Sequence, residues 1–384
     1  GAGDLTGTMR FLGDAKKNLN PGNSNNEHNP KSYSHLGNSR YAGEHGQLEL
    51  RELYWELQSE NVFWKLGKQQ VIWGEADGLK LLDVVNPQSY REFILDDFDD
   101  SRIPLWMINA EVSLSDDSVL QVIWTPDTST HELAPFGSPY EFSSPIIVPQ
   151  KAPGISVNID EPEAPKKLLK ESDFGLRLSQ FTHGWDISFN YLLHTIDEPV
   201  LRLNQTAQGL SLTSHYHRSQ LFGGSTSTAL GDWIFRSEVA YETNRYHRTA
   251  ASLPGVLPNP IQANQWGSVI GLDYQGWSDQ FLSFQWFQSR ILSDKEDLVE
   301  AKTEDSVSLL WEVNFLNETL KLRWLHLHSI DNDDGVSRPK ITYNYLANLD
   351  ISIGIDRFYG DEQGLFGQYD QQDRVNVGFE WGFE

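Results

Sequence analysis

The chain has 384 residues, with 30 Lys+Arg against 54 Asp+Glu and a net charge of −24. That balance argues against a nucleic-acid binder, which needs a basic face to displace counterions from phosphates. Hydrophobic residues make up 39% and aromatics 12%, with 13 Trp and no Cys, so the chain is neither disordered nor a disulfide scaffold. No stretch holds the roughly 20 consecutive apolar residues of a membrane-spanning helix. A mean hydropathy of −0.48 looks water-soluble, yet a membrane β-barrel averages to the same value because only alternate strand residues face lipid.

Period-two alternation runs along the chain. Leu5, Met9 and Phe11 oppose Thr6, Thr8 and Arg10; Ile187, Phe189, Tyr191 and Leu193 oppose Ser188, Asn190 and His194. Trp233, Phe235, Val239 and Tyr241 oppose Arg236, Glu238 and Glu242. Val307, Leu309, Trp311 and Val313 oppose Ser308, Glu312 and Asn314, and Val375 to Phe383 opposes Asn376, Gly378, Glu380 and Gly382. Strands are expected at about 4–12, 46–57, 62–74, 105–115, 118–126, 173–182, 185–195, 209–228, 232–246, 264–275, 279–292, 305–316, 319–330, 338–347, 350–359 and 372–383, sixteen in all.

Alternation alone fits a soluble sandwich equally well. Connection lengths separate the two. Tight links such as Asp116-Asp117, His183-Gly184 and Asn317-Glu318 alternate with long ones at 13–45, 75–104, 127–172, 196–208, 247–263, 293–304, 331–337 and 360–371. An outer-membrane barrel sorts its connections in this way, short on the periplasmic side and long outside. Trp185, Trp233, Trp266, Trp277 and Tyr359 near strand ends suit the headgroup level. The expected fold is all-β: a single-domain (1–384) transmembrane antiparallel up-and-down β-barrel of about sixteen strands, wide enough for water. The absence of Cys fits an oxidising periplasm, and with no signal peptide at its start the chain is expected to be a mature form. Outer-membrane lipids and lipopolysaccharide are the expected surroundings, with no cofactor and no nucleic acid.

The inward parity carries Arg10, Arg177, Arg236, Glu238, Glu242, Glu312, Lys321, Arg323, Arg374 and Glu380. Such charges either pair across the lumen and hold its shape or set a transverse field that selects solutes. The connection 75–104 is too apolar for a surface loop, with Leu79, Leu81, Leu82, Val84, Val85, Phe93, Ile94 and Leu95, and is expected to fold inward as a constriction or plug with a short helix near 87–95. Its candidate functional residues are Trp73, Glu75, Asp77, Asn86, Arg91, Asp96, Asp97 and Arg102. The run Asp96-Asp97-Phe98-Asp99-Asp100 lacks calcium-loop spacing and reads as a turn salt-bridged by Arg91 and Arg102. Segment 127–172, with Pro135, Pro139, Pro145, Pro149, Pro153, Pro162 and Pro165, reads as a cap over the mouth. Asp331 to Gly335 reads as a hairpin loop with a turn glycine. His215 with His217 and His326 with His328 lack a third metal ligand nearby and read as polar lumen or rim residues. No metal site and no catalytic motif emerges, although an outer-membrane hydrolase assembled by geometry stays open as an alternative.

Residues 50–126 resemble a known family. The stretch Arg51-Glu52-Leu53-Tyr54, then Leu66-Gly67-Lys68-Gln69-Gln70-Val71-Ile72-Trp73-Gly74-Glu75-Ala76-Asp77-Gly78, continues with Asp83-Val84-Val85-Asn86-Pro87, Arg91 to Phe98 and Ser101-Arg102-Ile103-Pro104-Leu105-Trp106-Met107. It is similar to proteobacterial outer-membrane proteins grouped as domain of unknown function thirteen-oh-two. The resemblance implies an outer-membrane location and, in many relatives, association with inner-membrane exporters of the resistance-nodulation-division (RND) superfamily that handle lipids or hydrophobic compounds. It also implies that the functional element lies between Trp73 and Pro104. The leading expectation is therefore a channel or transporter for small solutes or amphipathic molecules, with a plugged barrel serving such an exporter as the alternative.

Overall fold

The computed structural model describes all residues except 1–2, 18–31, 39, 43–44, 136, 149–156, 160–169, 207–208, 251–259, 296 and 383–384. Sixteen antiparallel strands form one continuous wall: β1 (Asp4–Gly13), β2 (Gly46–Ser59), β3 (Val62–Gln69), β4 (Leu105–Ser115), β5 (Ser118–Thr125), β6 (Asp173–Thr182), β7 (Trp185–Thr195), β8 (Arg218–Leu230), β9 (Trp233–His247), β10 (Ile261–Tyr274), β11 (Gln280–Leu292), β12 (Thr303–Phe315), β13 (Leu320–Ser329), β14 (Asp334–Leu346), β15 (Leu349–Tyr359) and β16 (Arg374–Trp381). Each pairs with its neighbours in chain order, from β1 with β2 to β15 with β16.

The wall is inside out relative to a water-soluble protein. Its outward parity carries large exposed apolar side chains on successive strands, among them Leu5, Phe189, Phe222, Ile270, Phe284, Ile353 and Val377. Its inward parity buries polar ones: Asn190, Glu238, Gln285, Ser308 and Asp356. A face of that composition is stable against lipid, where the backbone groups shared by neighbouring strands are already spent in the ladder. Trp185, Trp233 and Trp277 sit exposed at the tight-turn end, and Tyr274 packs its ring 4.5 Å from Trp233 and 4.8 Å from Trp277. Trp266 and Tyr359 lie toward the opposite end.

Turn chemistry sets the short connections. His183 and Gly184 both take positive φ, 51° and 82°, the pair of left-handed residues that a two-residue hairpin between right-twisted strands requires.

Four expectations are corrected. The strand expected at 209–228 is broken at Tyr216-His217. Its first part, Gly209–His215, forms a separate small sheet with Val200–Thr206 and Val157–Ile159, and Tyr216 and His217 are held by Thr130 (3.2 Å) and by stacking on Tyr246 (4.2 Å). The strand expected at 62–74 ends at Gln69, where the chain turns into the lumen. Residues 87–95 hold no helix: Ser89–Tyr90 pairs parallel with Glu132–Leu133, and a single helical turn forms later, at Phe98–Ser101, where Asp97 O accepts the N–H groups of Asp100 and Ser101. Gly335 is no turn residue. β14 already begins at Asp334, the positive φ falls on Asp333 (49°), and a Cβ at Gly335 would strike Leu327 O.

Phe284→Arg, which sets a guanidinium on the outward face of β11, is expected to cost about 2–4 kcal/mol, the cost of a cation at mid-bilayer. The measurement is the urea midpoint of folding into lipid vesicles, read by gel mobility without boiling; an unchanged midpoint would mean that this face meets water.

Candidate functional site

After Gln69 the chain leaves the wall and runs inward as residues 71–104 before rejoining it at Leu105. Strand pairing cannot satisfy its backbone, so side chains do. Asn86, almost wholly buried, replaces a missing ladder: its Oδ1 accepts from Val71 N–H (2.8 Å), and its Nδ2 donates to Gln69 O (3.3 Å) and Ile103 O (3.0 Å). Entry and exit of the segment are thereby tied together.

The segment dips toward the tight-turn side at Glu75 to Asp77, where residues of β9, β10, β11 and β12 hold it. The Glu75 N–H donates to the buried Glu238 carboxylate, which also accepts from Leu82 N–H at 3.3 Å. Arg236 donates to Glu75 O, to Asp77 Oδ2 (2.6 Å) and to Asp273 Oδ1 (2.9 Å). Gln285 Oε1 accepts from Asp77 N–H (2.9 Å) and Ser308 Oγ donates to Asp77 O (3.3 Å). Trp73, with no exposed surface, donates its indole N–H to Gln121 Oε1 at 2.8 Å.

The returning half carries a second charge network. Arg102 is buried and donates to Asp83 (2.8 Å) and Asp99 (2.6 Å), while Arg51 donates to the carbonyls of Asp99 and Arg102, both at 2.8 Å. Arg374 pairs with Asp356 (2.6 Å) and Glu92, and Arg338 bridges Asp356 (2.8 Å) to the carbonyls of Ile94 (3.1 Å) and Leu95 (2.6 Å). Phe93 and Leu95 pack among Leu327, Val336, Phe358, Phe366 and Tyr369; Leu82 and Val85 pack among Leu105, Met107, Leu192 and Leu221.

Every wall strand is reached by this one segment. Contacts already named engage β2, β3, β4, β5, β7, β8, β9, β11, β12, β13, β14, β15 and β16; Arg10 of β1 donates to Asp100 O (3.1 Å), and Arg177 of β6 donates to Ile72 O (3.2 Å). On β10, a Cβ at Gly267 would meet Leu81, as one at Gly223 would meet Leu82. Among the described residues no ladder joins β1 to β16, but both reach the stretch 92–100, through Arg10 to Asp100 and Arg374 to Glu92.

The remaining candidates are placed less centrally. Glu242 pairs with His194 (3.0 Å) and Arg245 (2.7 Å), and Glu312 with Arg323 (3.1 Å) and Lys321 (3.0 Å), so these groups neutralise one another on the wall. Glu380 is exposed beside the last turn. Arg91 donates to Gln47 (3.1 Å), and it is Arg102, without Arg91, that binds the acidic run. Asp97 is exposed. His326 and His328 share the outward face of β13, both hydrogen-bonded to Tyr359 OH (3.2 and 3.0 Å), and so do not line the lumen. Of the 127–172 connection, Phe142 packs on the inward segment against Tyr90 and Phe93, the Ser143 and Ser144 N–H groups donate to Gln368 Oε1 of the last long connection, and Val157–Ile159 joins the small sheet. Pro149, Pro153, Pro162 and Pro165 lie outside the described residues. The wall partners Asp273, Gln285, Arg338 and Asp356 were not singled out by sequence, although each sits on the inward parity of its strand.

Several groups of the loops are displaced in their titration, Asp96, Lys80 and His131 among them. Burial, reinforced by Glu92, pushes the Asp96 carboxyl up to about 6. Burial lowers the Lys80 ammonium to about 8 against the pull of Asp83. Burial brings His131 down to about 4, which suits its Nδ1 as the acceptor of Gln88 N–H at 2.8 Å.

A membrane-facing β-barrel whose lumen is occupied by its own inward connection is the class defined by this fold and site. The chain belongs to the family described as Protein of unknown function (DUF1302), whose profile matches residues 6–317, well beyond the stretch that carries the resemblance in sequence. No curated protein matches. Among solved structures the chain is similar to the outer membrane channel DcaP of Acinetobacter baumannii (9% identity, 89% of this chain and 77% of that one, TM-score 0.42). It is similar also to Pseudomonas aeruginosa OccK8 (OprE) (9%, 82% and 77%, TM-score 0.43) and to a mutant of the Rh. blastica porin (11%, 99% and 100%, TM-score 0.43).

Two outcomes follow. Asn86→Ala orphans one buried N–H and two buried carbonyls, at a cost on the order of 1–3 kcal/mol each. Limited proteolysis should cut within 78–101 in this variant and spare the wild type. The pH dependence has two limbs. The raised Asp96 pKa means that packing is strongest with the carboxyl protonated and weakens as pH rises from about 4 through 6; the lowered Lys80 pKa means that packing strengthens as pH rises through 8. Protease sensitivity of the segment should therefore peak between pH 6 and 8, and Asp96→Asn should abolish the acid limb alone.

Proposed function

We propose that the chain is an outer-membrane channel for small solutes, shut at rest by residues 71–104, with outer-membrane lipid and lipopolysaccharide around its apolar belt. The observation that carries this reading is the reach of the segment to every wall strand, with Trp73 and Leu82 wholly buried and Glu238 and Arg236 gripping its lowest point. The grip consists of hydrogen bonds and ion pairs to exchangeable polar side chains, a set that water or a polar solute replaces group for group. The 127–148 stretch then works as a cap on the outer side of the plug. Passage, with no bond-making chemistry, is the activity assigned.

In planar bilayers the wild-type protein should show little conductance, and a variant lacking residues 78–101 should show stable, salt-dependent steps while keeping its heat-modifiable gel mobility. Large steady conductance of the wild type, or a silent but folded deletion variant, would overturn the reading.

A further inference from the structure

Below the dip of the inward segment, on the tight-turn side, lies a recess of ≈260 Å³. Glu75 of the segment closes its inner end together with Arg177 of β6; Asp117 and Asp186, from the turn side of the wall, stand at its mouth, with the Ser188 and Ser225 hydroxyls between, 2.8 Å apart.

Arg177 differs from the other lumen arginines. Arg10, Arg236, Arg323 and Arg374 each hold a carboxylate within 3.1 Å. Among the described residues Arg177 has no such ion pair, Glu75, Glu111 and Glu238 acting on it only from further off; its only hydrogen bond is to Ile72 O, and its buried Nε, like that of Arg10, has no partner. A half-buried guanidinium with open donors facing a recess is a ready partner for an anion that can reach it. Yet the carboxylates of the recess, Glu75, Asp116, Asp117 and Asp186, repel a simple anion. A solute that carries both charges resolves the conflict.

We infer that this recess binds a small linear zwitterion, its carboxylate on Arg177 and its ammonium toward Asp186 and Asp117. The register sets the span. Phe181 opposes Asp186 and Arg177 opposes Asn190, so the two charged groups stand four rungs apart, about 14 Å of backbone at about 3.4 Å per residue. The reach of the arginine side chain leaves a gap that suits charges separated as in a dipeptide or an ω-amino acid, and exceeds that of an α-amino acid. The inference deepens the channel reading, since it names the solute class for the same lumen.

The test is calorimetric titration of the full-length protein in detergent at low salt with 6-aminohexanoate, hexylamine, hexanoate and leucine. Binding of 6-aminohexanoate in preference to the other three is expected. Arg177→Gln should weaken it at least tenfold and Asp186→Asn should weaken it as well, while Arg177→Lys retains most of it and all variants keep wild-type gel mobility. Equal binding of hexylamine or hexanoate, preference for leucine, no binding, or an unaffected Arg177→Gln variant would each overturn the inference. The titration needs no transport, so a failure of the conductance prediction leaves its result readable.

Discussion

The structure depends on one requirement: a stretch of irregular backbone inside a membrane barrel must have its N–H and C=O groups met by side chains of the wall. Asn86 closes the neck of the segment, Glu238 and Gln285 receive its amides, and Arg236, Arg338 and Arg374 bind its carbonyls or carboxylates. Arg10, Arg177, Arg236, Glu238 and Arg374 are thus engaged by the segment, while Glu242 and Glu312 pair with bases of the wall itself.

The same requirement links the fold to its proposed work. An apolar plug would be held by surface burial and would resist water. This one mixes a small apolar core around Phe93 and Leu82 with a polar underside at Glu75 to Asp77, and the polar underside faces the recess that holds Arg177. The side of the plug that a solute meets from the tight-turn end is therefore the side held by replaceable hydrogen bonds.

Much of the fold was legible because lipid reverses the usual code while keeping its period. Alternation located all sixteen wall strands, and parity alone placed Arg236, Glu238 and Arg374 inside. The candidate site was legible in part: the apolar content of 75–104 pointed inward, but nothing in one sequence ties Arg374 to Glu92, 282 positions away, or Arg338 to Leu95. The errors share a cause. The 209–228 run and Gly335 obey local turn and strand signals, and they were overruled by Thr130, Tyr246 and Leu327, contacts from distant parts of the chain.

What the sequence determined by itself is the wall: strand period, strand count, the apolar outer face and the sorting of short and long connections, all of which follow from local alternation and local turn chemistry. Only the tertiary structure decided how the lumen is filled, which inward charges are neutralised and that Arg177 is left with open donors. Those outcomes rest on hydrogen bonds between residues far apart in the chain, whose geometry exists only once the wall has curled around the segment.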